Sequence, residues 1–228
     1  MPDDDRLINY RFDCATLAGV VPALTRVHLV EALDEPYSLR VDCLIVDQDF
    51  EVHTLIGQDC SLELNRSDVT VRRVCGIVQE ARETDETLTR LVIVPALSML
   101  ALRRDTRIFQ EKTVPEILEE VLGALSEYGR SATLDLQGTY PTREYCVQYQ
   151  ETDLDFAMRL MQEEGISYGF EHEGDVEVLV LRDRNTSWPD LPAGRVVRYE
   201  PDDAELRGPE PIVHFVRDHQ PTTTSVVV

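Results

Sequence analysis

Residues 143–168 read REYCVQYQETDLDFAMRLMQEEGISY and predict a strand, a helix and a second strand in direct succession. Residues 144–149 alternate polar with apolar or aromatic side chains, which is the period of a half-buried strand. Thr152 then offers a hydroxyl to cap a helix, and the two aspartates of the first turn suit the positive end of its dipole. Gly165 is placed to end that helix in a left-handed conformation, and residues 166–170 restart as a strand. The helix has one apolar stripe, formed by Leu154, Ala157, Leu160 and Met161.

A second stretch, residues 107–117 with the sequence RIFQEKTVPEI, opens another helix. Thr113 is the predicted N-cap, Pro115 lies in the first turn, where its missing N–H costs nothing, and Glu116 completes a capping box. The apolar side chains that follow recur at helical spacing, and they are Val114, Ile117, Leu118, Val121, Leu122 and Leu125.

Together the two stretches resemble the signature of the VgrG family, the trimeric spike proteins of bacterial type VI secretion. The family is related to phage baseplate hub proteins and to phage late-control D proteins. The matching positions are predicted to be structural rather than catalytic. They are Phe109, Lys112, Pro115, Tyr145, Gln148, Tyr149, Glu151, Asp153, Leu154, Phe156, Glu164 and Gly165.

The predicted fold class is mainly β with an α+β insertion. Short strand-like runs separated by turns fill the first 95 residues and indicate a small antiparallel barrel or sandwich. These runs are residues 27–30, 37–45, 60–64, 69–83 and 88–94. Further on, residues 132–136 predict a short strand, and residues 166–181 predict a hairpin that turns at 173–175.

The resemblance implies three parts. Residues 1–105 would be the first antiparallel β-barrel of the hub-like region, and residues 106–192 an α+β region with two helices and a hairpin. Residues 193–228 would be a linker and the opening strands of an incomplete second barrel. The family architecture is longer, so a fragment or a truncated product is expected, and such a chain should trimerise weakly or not at all.

Charge excludes several classes of partner. With 22 basic and 43 acidic residues the formal net charge is −21, which opposes binding to nucleic acid and to anionic membranes. No apolar run is long enough to span a bilayer, so stable membrane insertion is not expected. The first residues are acidic and lack the apolar core of a signal peptide, which predicts synthesis and assembly in the cytoplasm.

The cysteines, histidines and acidic residues do not form the pattern of a metal site or a catalytic site. The five cysteines are scattered and predict buried, reduced thiols. The five histidines lack metal-ligand spacing, His172 included, so neither a metal nor a cofactor is expected. The paired acids Glu163 and Glu164 are interpreted as solvated acids at a helix end, rather than as an acid–base pair. Tyr145 and Tyr149 share one face of a strand and are predicted to be core residues.

The resemblance implies a non-enzymatic spike or baseplate-hub subunit that adapts a hexameric tube to a trimeric needle. The implied partners are two further copies in a homotrimer, the hexameric tube protein, baseplate components, a PAAR-type tip protein and effectors. Export through the apparatus would need no signal peptide. The alternative within the class is a phage-tail baseplate hub or late-control protein. A more distant alternative is a hydrolytic effector enzyme.

Overall fold

The structure, a computed structural model, describes residues 8–17, 22–45, 50–66, 69–84, 88–189 and 216. The chain divides into two units, residues 1–187 and 188–228, and every element below belongs to the first. The predicted opening strands of a second barrel in residues 193–228 lie outside the described residues, apart from Val216. His214 and His219 also lie outside them. The three-part division of the chain stays a prediction.

The first large element is a six-stranded antiparallel sheet with the order β1-β4-β5-β6-β3-β2. It curls into a half-barrel, with β1 and β2 at its two edges. The prediction of a mainly β fold is therefore confirmed. The strands are β1 (Ile8–Cys14), β2 (Ala23–Ala32), β3 (Glu35–Leu44), β4 (Asp59–Arg66), β5 (Val69–Glu83) and β6 (Leu88–Val94).

Alternating apolar residues build the core of the half-barrel, as the period of two in these strands requires. Leu91 and Ile93 of β6 are both fully buried. Gly76 of β5 lies where no side chain fits, because a Cβ atom there would be 2.8 Å from Ile93 Cγ2. The hydroxyl of buried Tyr37 donates a hydrogen bond to the carbonyl of Cys75, so the one polar group of this aromatic side chain is satisfied.

The second region carries the helices and two small sheets. Strands β10, β11 and β8 form a three-stranded sheet in the order β10-β11-β8, and β7 pairs with β9 in a two-stranded ribbon. The elements are α1 (Ala96–Met99), β7 (Arg104–Lys112), α2 (Val114–Leu122), β8 (Ala132–Asp135), β9 (Arg143–Thr152), α3 (Asp153–Glu164), β10 (Ser167–Glu173) and β11 (Val176–Arg182).

Both predicted helices are present with their predicted caps. The Thr113 hydroxyl accepts from the backbone of Glu116, whose carboxylate closes the capping box, and all six predicted apolar residues of this helix and its extension are buried. Thr152 caps α3, and Gly165 ends it with a φ of 67°. The predicted stripe on α3 is right for three residues. Leu154, however, is only half-buried, and Phe156 is the fully buried aromatic.

Several polar contacts join the half-barrel to the second region. At the tip of the β2–β3 hairpin, the Asp34 carboxylate accepts from the backbone N–H of Tyr168 at 2.8 Å. Deeper in the unit, the buried guanidinium of Arg130 donates to Glu177 at 2.8 Å and to Asp59 of β4 at 2.7 Å. Because a buried charge is costly without a partner, Arg130 is held by Glu177 within the second region, and its contact with Asp59 ties that region to the half-barrel.

Candidate functional site

The two sequence motifs meet in the β7–β9 ribbon. The strands run antiparallel, with Arg107 opposite Gln148, Ile108 opposite Val147 and Phe109 opposite Cys146. Alternate residues of a strand point to opposite faces, so the ribbon has an inner face against the helices and an outer face. This alternation divides the motif residues into two groups with different surroundings.

The inner face is closed by aromatic packing. Phe109 and Phe156 are buried and stack with ring centroids 5.6 Å apart and planes 16° from parallel. Cys146 lies in the same apolar cluster. Stacked aromatic pairs contribute beyond the area they bury, so this contact holds α3 against the ribbon.

A buried carboxylate lies at one end of the inner face. The side chain of Asp153 is 2% exposed and accepts from Gln148 Nε2 at 2.8 Å. Its two arginine partners are Arg103, with Nε at 3.2 Å, and Arg107, whose terminal nitrogen also donates to it. Arg107 Nε donates to Gln148 Oε1 at 2.8 Å, which closes the network. Asp153 is therefore more than a first-turn acid: it joins both strands of the ribbon to the start of α3.

A row of ion pairs crosses the flank of α3. Arg159 Nη2 is 2.6 Å from Glu151, and its other terminal nitrogen is 3.1 Å from Glu163. Arg143 reaches Glu163 at 2.9 Å and Glu164 at 2.6 Å. Partial burial opposes ionisation of Glu163, but the hydrogen bonds from Arg143 and Arg159 prevail and hold its pKa below the ordinary value. Glu163 and Glu164 do lie at the end of α3, and Glu163 is exposed to solvent as interpreted, but both acids are also paired with arginines.

Lys112 and Pro115 lie where the ribbon passes into α2. The Lys112 ammonium pairs with Glu120 and is 5.8 Å from the centre of the Phe109 ring. Pro115 occupies the first turn of α2, where its fixed φ is already helical. Both residues support the local fold.

The outer ribbon face is the exposed part of the motif. It comprises the outward side chains of both strands: Thr106, Ile108, Gln110, Tyr145, Val147 and Tyr149. Ile108 is 58% exposed, Tyr145 54% and Tyr149 69%. The prediction that the two tyrosines are core residues is therefore wrong. Their strand is half-buried as expected, but it is Cys146 and Gln148 that face inward.

The remaining ionisable groups do not converge on a reaction centre in the described part of the chain. His172 is half-buried, and its Nδ1 accepts from the backbone N–H of Cys75 at 3.1 Å. Burial, with the nearby charge of Arg72, lowers the pKa of His172 to about 4, so its ring is neutral at pH 7. Across the described residues, no three His, Cys, Asp or Glu side chains are grouped to hold a metal ion.

The predicted cysteine state is confirmed: all five thiols are buried and free. Helices within the described ranges are all too short or too polar to cross a bilayer. One depression in the described part of the chain, of about 630 Å³, is a shallow, mostly polar surface over β8, β10 and β11, lined by residues such as Asp135, Glu171 and Arg182.

Comparison with known proteins identifies the family that carries this fold and these two motifs. Residues 30–228 match the model of the family described as "Phage tail baseplate hub (GPD)". The chain belongs to this baseplate-hub family. This match confirms the expected relationship to baseplate-hub proteins, and the VgrG relatives given next confirm the resemblance of the two motifs to the VgrG family.

Baseplate-hub membership agrees with the similar proteins. The chain is 34% identical to the type VI secretion system spike protein VgrG4b of Pseudomonas aeruginosa over 80% of its own length and 22% of that protein. It is 39% identical to the actin cross-linking toxin VgrG1 of Vibrio cholerae over 60% of its length and 13% of that protein. The chain thus spans less than a quarter of these two relatives.

A solved structure shows the same fold. The Escherichia coli c3393 protein, described as a type VI secretion component similar to the phage T4 tail proteins gp27 and gp5, superposes with a TM-score of 0.71 and 23% identity. The superposition covers 81% of this chain and 53% of that one. A curled sheet with an attached α+β region is therefore the hub fold.

Proposed function

We propose that this chain is a structural spike or baseplate-hub subunit of a bacterial type VI secretion apparatus. In this role it adapts a hexameric tube to a trimeric needle and carries out no reaction itself. Two observations support the proposal: the relatedness to spike proteins, and the contacts of the motif residues, which hold the ribbon against α3. The acids of the motif are engaged with arginines, which suits bracing better than proton transfer.

The outer ribbon face is the observation that carries the proposal furthest. The chain has a formal net charge of −21, so two copies repel each other over most of their surfaces. The six side chains of the outer ribbon face are all uncharged, and two are exposed tyrosines, which are typical of protein interfaces. A second copy of the chain is therefore the occupant that we assign to this face.

The ribbon also offers backbone groups for such a contact. Among the described strands, β7 and β9 pair only with each other, so each has an unpaired edge that can add a strand from a neighbouring subunit. A ring of three subunits would be closed by repeating one such contact around a threefold axis. Baseplate components, a tip protein of the PAAR type and effectors would bind elsewhere on the complete assembly.

Light scattering after size-exclusion chromatography tests the function. The chain is run alone and with its cognate tube protein, and we expect self-association at high concentration and co-elution with the tube hexamer. A chain that stays monomeric and does not bind the tube protein at any concentration would contradict the proposal.

A phage-tail hub is the second candidate, because the family description itself names the phage tail baseplate. It predicts co-elution with a phage tail-tube protein instead. In either setting the chain would be assembled in the cytoplasm and leave the cell with the contracting apparatus.

A further inference from the structure

Two of the five cysteines lie directly opposite each other on neighbouring strands. The antiparallel register of β1 and β4 pairs Cys14 with Cys60. The other three cysteines face residues of other types across their strands: Cys43 faces Leu24 and Thr89, Cys75 faces Ser61, and Cys146 faces Phe109. Within the described pairings, Cys14 and Cys60 are thus the only directly opposed thiols.

The strand geometry suits a covalent bond between them. Directly opposed residues of antiparallel strands have Cα atoms about 4.5–5.5 Å apart and side chains on the same face. Disulfides need Cα separations of about 4.4–6.8 Å. Both side chains belong to the apolar core of the half-barrel, at 3% and 5% exposure, so they share one side of the sheet.

Both thiols make only weak contacts that a side-chain rotation would release. Cys14 Sγ lies 3.3 Å from the hydroxyl of Thr16, and Cys60 Sγ donates to the carbonyl of Gly76 at 3.5 Å. A thiol is a weak donor and a weak acceptor, so these contacts cost little to exchange for a disulfide.

We propose that Cys14 and Cys60 are a redox pair that closes into a cross-strand disulfide and staples the edge strand β1 to β4. The oxidant is a low-molecular-weight disulfide such as oxidised glutathione. The Cys14 thiolate attacks one sulfur of the oxidant and releases one thiol. The Cys60 thiolate then attacks Cys14 Sγ in the mixed disulfide and releases the second thiol, so two electrons and two protons pass from the cysteines to the oxidant.

The position of β1 makes the pair sensitive to its surroundings. β1 is an edge strand that pairs only with β4 among the described strands, and edge elements open locally at lower free energy than central ones. Burial raises the pKa of the Cys60 thiol well above its ordinary value, so the closed fold keeps this thiol protonated and unreactive. Oxidation therefore follows opening of the edge.

The proposed function gives the disulfide a physiological role. Only this role, and not the chemistry of the pair, rests on the proposed function. A spike subunit folds in a reducing cytoplasm and then enters an oxidising space, where disulfides persist. The bond would close a loop that contains β2 and β3 and would limit unfolding of the half-barrel outside the cell.

Redox refolding with peptide mapping tests the chemistry. The chain is unfolded, refolded in a glutathione redox buffer, blocked with an alkylating reagent and mapped by mass spectrometry. We expect a Cys14–Cys60 peptide pair that the same protein kept in dithiothreitol lacks. Glutathione adducts, free thiols at these positions or another pairing would overturn the proposal.

Thermal unfolding provides the second measurement. Oxidised protein should melt about 10 °C above reduced protein, since a disulfide that closes a long loop restricts the unfolded chain. Cys14→Ser should abolish this difference, and Cys146→Ser, which removes a buried thiol away from β1, should keep it. A redox-independent melting temperature in the parent chain would overturn the staple. These measurements need no tube protein, so the redox pair and the proposed function can fail separately.

Discussion

The inner and outer faces of the β7–β9 ribbon are built from alternate residues of the same motifs but have opposite surroundings. On the inner face, Phe109 and Phe156 stack, and Asp153 is enclosed by donors. On the outer face, Tyr145 and Tyr149 are more than half exposed. One motif thus has two sets of residues: the inward residues set the position of α3, and the outward residues form the surface that we propose binds a second copy.

Removing one aromatic ring from each face should show the largest difference. Phe156→Ala should lower the free energy of unfolding by about 4 kcal/mol, because it leaves a cavity beside Phe109. Tyr149→Ala, its matched control on the outer face, should change stability by less than about 0.5 kcal/mol. Urea unfolding measures both, and equal losses for the two variants would mean that the faces are not distinct.

Neutralising the buried acid should have the next largest effect. Asp153→Asn keeps the size of the side chain but leaves Arg103 and Arg107 without their shared anion, so we expect a loss of about 3 kcal/mol. Glu144→Gln, which changes an exposed acid on the same ribbon, should be nearly neutral. A tolerated Asp153→Asn would show that the network does not hold the inner face together.

The end of α3 should show a smaller, purely conformational effect. Gly165 has a φ of 67°, and a Cβ there would meet no atom within 4 Å, so Gly165→Val is strained only through the backbone. We expect a loss of about 1–2 kcal/mol in urea unfolding. Gly123→Ala is the control: Gly123 also has open space, but its φ of −53° suits any residue. An unchanged stability for Gly165→Val would contradict the left-handed cap.

Acid should weaken the ion pairs along the flank of α3. The folded pKa of Glu163 lies below its ordinary value, because the hydrogen bonds from Arg143 and Arg159 outweigh the opposing effect of its partial burial. The resulting stability is present above the unfolded pKa of about 4.3 and is lost as pH falls through the folded pKa. Glu163→Gln should flatten the decline in stability below about pH 5. An identical pH profile for parent and variant would show that Glu163 does not contribute to the loss of stability in acid.

Local features of the sequence were sufficient for the helices. The capping residues Thr113 and Thr152, with Gly165, lie within a few residues of the backbone groups that they influence, so pattern alone located them. The same is true of the hairpin that turns at residues 173–175.

The site was less accessible to sequence reasoning, because its contacts are long-range. Asp153 draws its donors from Arg103 and Arg107, more than 40 positions earlier. The alternation in β9 was visible, but it did not indicate which face the helices cover. Polar Gln148 faces inward because Asp153 and Arg107 satisfy its amide, and the two tyrosines face outward as a consequence. Knowledge of β7 as the partner strand would have been needed to see this.

Sedimentation equilibrium of the chain and its Tyr149→Ala variant measures whether the outer ribbon face binds a second copy. We expect the parent chain to self-associate at high concentration and Tyr149→Ala to weaken this association at least about tenfold, the equivalent of 1.4 kcal/mol. Tyr10→Ala, which removes a tyrosine 45% exposed on β1, should associate like the parent. Equal association of all three proteins, or a parent chain that stays monomeric throughout, would contradict the assignment of the outer ribbon face to a second copy.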